Sequence, residues 1–76
     1  MNASERAGAW DSGREIRSEA VALASDLERY GITVDVRFPR TYGDDRAVLH
    51  FPGKSIRSMS QMGALMTLTC IMEAVR

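Results

Sequence analysis

The chain is short of most groups that carry chemistry. It has one cysteine, one histidine and two prolines, and no surplus charge of either sign. Each shortage removes a class of function. Cys70 has no second cysteine to pair with, so no disulfide within the chain can staple the fold, and a cysteine-based zinc site is excluded. A lone thiol fits a reducing compartment, and the expected location is cytoplasmic. With His50 the only imidazole and no carboxylate group at ligand spacing, no metal and no cofactor are expected. Ten basic residues, nine of them Arg, balance ten acidic ones, so no bulk charge steers the chain toward nucleic acid or an anionic membrane. The N-terminal residues lack the apolar run of a signal peptide. The most apolar stretch, Ala64 to Met72, is interrupted by Thr67 and Thr69 and is too short to span a bilayer.

What is present fills one small domain. Seventy-six residues leave no room for a second core. Residues 1–11 read as a flexible arm, in which Trp10 either docks the arm or is an exposed contact, and residues 12–76 as the domain. Ser12 and Glu15 are spaced as a capping box. Ile16, Ala20, Leu23, Ala24, Leu27 and Tyr30 follow at intervals of three and four, which predicts a helix over 13–30 ended by Gly31. Ile32, Val34, Val36 and Phe38 then alternate with polar residues, the period of a half-buried strand, and Pro39 stops it. After a turn-like stretch over 40–45, Ala47, Leu49 and Phe51 alternate again until Pro52-Gly53. From about residue 55 the period returns to helix. Ile56, Met59, Met62, Leu65, Leu68, Met72 and Val75 form a stripe, widened by Met66, Cys70 and Ile71. The expected class is α+β with the order α-β-β-α, an antiparallel hairpin with both helices packed on one face.

Gly53-Lys54-Ser55 has the ending of a phosphate-binding loop. The motif fails upstream, because Val48 stands where its first glycine belongs. The structural reading is a strand-to-helix corner, with Ser55 capping the second helix or Ser58 doing so through a box with Gln61. A phosphoryl group on Ser55 would then meet the free N–H groups of a helix N-terminus.

Lys54-Ser55-Ile56, followed by Gly63-Ala64, resembles a segment of HPr, the phosphocarrier of the bacterial sugar phosphotransferase system. The likeness covers about residues 15–64, including the order helix, strand, strand, helix. It implies an HPr-like regulatory domain with Ser55 as the phosphorylation site. It implies no phosphocarrier activity, because Glu15 occupies the place of the phosphorylated histidine.

Three functions are therefore expected, in this order. The first is a non-enzymatic interaction or regulatory module. It would dock a protein partner or its own copy as a homodimer, through Met59, Met62, Met66, Ile71, Met72 and Val75, because so small a domain cannot cover so apolar a helix. The second is the shortened HPr-like domain. The third is a nucleic-acid binder or small nuclease, with His50 as acid or base oriented by Asp35, and Arg37, Arg40, Tyr42, Arg46 and Arg57 as contacts. Asp35, Asp44 and Asp45 dilute that basic patch.

Overall fold

A computed structural model describes residues 13–40 and 45–76. Five elements follow in order: α1 (Arg14–Glu28), β1 (Asp35–Arg37), β2 (Arg46–His50), β3 (Arg57–Ser60) and α2 (Gln61–Val75). The class is α+β, as the alternation of periods predicts, with one strand more than the sequence suggests. The strands form an antiparallel meander in the order β1-β2-β3.

Helix α1 buries Ala20, Ala24 and Leu27 one or two turns apart, with Arg17 on the same face. Its N-cap is Gly13, with no side-chain cap; the predicted Ser12 cap lies outside the described residues. At its other end Gly31 has φ of 81°, and its N–H reaches Glu28 O at 3.0 Å while Ile32 N–H reaches Leu27 O at 3.1 Å. This pair of bonds satisfies the last carbonyls and turns the chain, which only glycine does without strain. The helix stops early enough that Tyr30, placed on its apolar stripe by spacing, is instead exposed.

The sheet has two unlike faces. Register places Val36 opposite Leu49, Ala47 opposite Met59 and Leu49 opposite Arg57, so these side chains share one face. Ala47 and Leu49 are fully buried there, in one core with Leu27 of α1 and Ala64, Leu68 and Met72 of α2. Both helices therefore cover the same face, α1 over β1 and α2 over β2 and β3. Asp35, Arg37, Arg46, Val48, His50 and Ser58 occupy the other face.

The predicted helix start at residue 55 is corrected. Phe51-Pro52-Gly53-Lys54 is a type II turn: Gly53 has φ of 80° and Lys54 N–H reaches Phe51 O at 2.9 Å. The turn sends the chain back as β3, and α2 begins only after it. Its cap is neither Ser55 nor Ser58 but Ser60, whose Oγ accepts from Gly63 N–H at 2.9 Å. Ser58 lies on the outer face, where its Oγ accepts from Arg46 Nη2 at 3.3 Å.

No residue separates β3 from α2, and Gln61 fixes the corner. Its N–H donates to Asp45 O at 2.7 Å, extending the ladder by one bond. Its side chain is buried, donating from Nε2 to Arg46 O at 3.2 Å and accepting at Oε1 from Arg17 Nη1 at 3.3 Å. The β1–β2 ladder ends at Arg37 opposite Val48, short of Pro39, which has no N–H to give, and Arg46 O takes its donor from Gln61.

Three substitutions test this corner by urea denaturation. Ser60→Ala should lose about 1 kcal/mol, the usual worth of an N-cap, whereas Ser55→Ala should stay within about 0.5 kcal/mol of wild type. Gln61→Ala should cost about 1–3 kcal/mol despite alanine's better helix propensity, because buried polar groups lose their partner.

Candidate functional site

Beside the corner lies a groove of about 600 Å³ between α2 and the β3 side of the sheet. Leu49, Phe51 and Met59 give it an apolar floor. Lys54, Ser55 and Arg57 form its polar rim, and Thr67 its helical wall. Thr67 stays on this wall because its Oγ1 donates back to Gly63 O at 2.8 Å, within 3.9 Å of Met59 Sδ. Lys54 and Arg57 are exposed and, among the described residues, carry the only formal charges on the groove.

The groove runs along a sheet edge. The bond from Gln61 N–H to Asp45 O makes those two a hydrogen-bonded pair of the β2–β3 ladder. In an antiparallel ladder such pairs alternate, so Met59 and Arg57 direct their backbone groups at β2 while Ser58 directs its N–H and C=O away. Among the described residues no strand lies beyond β3.

The residues expected to dock a partner separate into three sets. Met62 and Met66 are exposed, at 50% and 61%, one turn apart on the outer face of α2. Cys70 is exposed one turn further on. Met59 is in the groove. Ile71 and Val75 are half-buried against the core, and Met72, at 3% exposed, belongs to it. As placed, Met72 is covered by the core of its own chain. The separation of Met62 from that core has a geometric source. A run of threes lags about 60° per step on a helix of 3.6 residues per turn, so a stripe counted back from Leu68 through Leu65 has left the core by Met62.

The basic residues do not form one patch. Arg37 and Arg46 are on the outer face of the sheet, whereas Arg57 shares the inner face with Leu49. Arg37 Nε donates to Asp35 Oδ2 at 2.8 Å, an exposed ion pair. Arg40 is exposed, and Tyr42 lies outside the described residues. The register does set Asp35 opposite His50. Yet the carboxylate is turned to Arg37, and no hydrogen bond joins it to the imidazole. Ser55 is exposed in the connection between β2 and β3, away from the N-terminus of α2.

A second cleft of about 310 Å³ separates the helices, with Leu23 and Leu65 inside and Glu19 and Asp26 at its mouth. Among the described residues no group of three or more His, Cys, Asp and Glu side chains is placed to hold a metal ion, and no helix is long and apolar enough to cross a membrane.

Neither the protein-family models, nor the curated proteins, nor the solved structures compared with the chain give a match.

The groove was legible only in part. Lys54, Ser55 and Arg57 are adjacent in sequence, but their meeting with Leu49, Met59 and Thr67 depends on β3. The Pro-Gly pair followed by alternating Arg57, Ser58, Met59 and Ser60 was the available sign of that strand. His50→Ala should change stability by less than about 0.5 kcal/mol in a thermal or urea melt, since the imidazole completes no hydrogen bond in the sheet.

Proposed function

We propose that the protein is a small non-enzymatic interaction module that associates with a second copy of itself through the outer face of α2. One observation carries the reading: Met62 and Met66 lie exposed on a helix whose only charged residue from Gln61 to Val75 is Glu73. A monomer normally turns charge outward on such a face; here three turns present Met62, Met66, Thr69 and Cys70 to solvent. Thr69 reinforces the apolar character, because its hydroxyl is engaged by Leu65 O at 2.7 Å.

A second copy is the favoured occupant on electrostatic grounds. A face without charge over most of its length meets its own image with no like-charge repulsion, and a two-fold axis makes one patch serve both partners. The flexible methionine thioethers can settle into each other's gaps. A different partner would gain the same apolar burial, but nothing on this face would select it by charge.

Sedimentation equilibrium at micromolar concentration should give the mass of a dimer. Replacing both methionines, Met62→Lys with Met66→Lys, should weaken the dimer at least about tenfold and leave the circular dichroism spectrum unchanged. In the wild type a short bismaleimide should join Cys70 to Cys70 of the partner copy. A wild-type monomer throughout that concentration range, uncrosslinked, would overturn the self-association.

A further inference from the structure

We propose that the groove beside β3 binds an extended peptide segment as a fourth strand, and that this segment carries an apolar residue followed two positions later by an acidic one. This site is separate from the self-association face. It lies on the flank of α2 that carries Thr67, so both can be filled at once.

Three features converge on this ligand. The backbone N–H and C=O of Ser58 point away from β2 at a sheet edge with no further strand among the described residues, and such an edge is what an added strand pairs with. Next to that edge the apolar floor of Leu49, Phe51 and Met59 is large enough to take a side chain. At the rim Lys54 and Arg57 give the groove two positive charges and, among the described residues, no negative one, so the complementary ligand is acidic.

The register fixes the order of the two anchors. Met59 and Arg57 share the inner face of β3, two residues apart. An incoming strand antiparallel to β3, like every other pair in the sheet, would set its apolar side chain opposite Met59. Running against β3, it would then bring the residue two positions later opposite Arg57, on the Lys54 side. A carboxylate there forms charge-assisted hydrogen bonds with the guanidinium. Ser58 faces the other side of the sheet and imposes nothing on the residue between them.

Titration of a short fluorescein-labelled peptide built on Leu-Thr-Glu, amidated at its C-terminus, tests the site by anisotropy. Saturable binding is expected, at least about tenfold tighter than for the reversed order Glu-Thr-Leu or for Leu-Thr-Lys. Arg57→Glu should cost a similar factor and restore binding to the Leu-Thr-Lys peptide. Ser58→Pro removes an N–H that the ladder does not use, so it should preserve the fold and abolish binding. Should that variant unfold, hydrogen exchange of the wild-type protein gives the same answer, because the Ser58 amide should become protected when peptide is added. No saturable binding of the Leu-Thr-Glu peptide, equal binding of the reversed peptide, or an unprotected Ser58 amide in the saturated complex would each overturn the proposal. Failure of this binding with an intact dimer would leave the self-association standing, and a monomer that still binds peptide would do the reverse.

Discussion

The fold depends on the corner where β3 becomes α2 without an intervening residue. Ser60 is the last residue of the strand and the N-cap of the helix at once. Gln61 is the first residue of the helix and, through its N–H, the last bond of the ladder. Its amide then ties Arg17 of α1 to the backbone of β2 at Arg46. One buried side chain thus connects both helices with the central strand. Hydrogen bonds of this kind contribute little net energy each, but leaving their partners buried without them is costly. The corner consequently fixes the direction of α2 more than it adds to stability.

That direction determines which side chains the small core can take. Among the described residues, four of its nine buried apolar side chains are alanines: Ala20, Ala24, Ala47 and Ala64. Small side chains let the two helices lie close to each other and to the sheet, and Leu27, Leu49 and Leu68 fill the space between. A core of this size covers only one side of α2. The methionines the helix carries beyond that side, Met62 and Met66, have nothing within the described chain to cover them. The apolar surplus is a consequence of size, and the helix direction decides where it falls.

The sequence was most informative where a single period persisted. The alternation from Ala47 to Phe51 indicated which residues face inward, and Ala47 and Leu49 are fully buried while Arg46, Val48 and His50 are not. Gly31 marked the end of α1 because the turn there requires a positive φ. The period misleads where two of them overlap. Ile56, Met59 and Met62 are spaced for a helix, and the longer run beyond them imposed its period on four residues that form a strand. Ile56, 65% exposed, shows the cost of that choice, since the same stripe would bury it. The two expected caps, Ser55 and Ser58, and the one used, Ser60, lie within six residues of one another. Only the one preceding the ladder's last bond does the work, and that bond is long-range information that spacing does not hold.

The third strand also changes what Lys54, Ser55 and Arg57 mean. On a strand-to-helix corner they would have surrounded the positive end of a helix. On a connection and an edge strand they border an apolar groove, with the helix N-terminus facing elsewhere. Their charge then has no role in the fold: neither Lys54 nor Arg57 makes an ion pair among the described residues. Two unneutralised cations beside an open edge do, however, disfavour edge-to-edge pairing with another β3, which would bring like charges together. The proposed self-association therefore falls to the uncharged face of α2 rather than to the sheet edge.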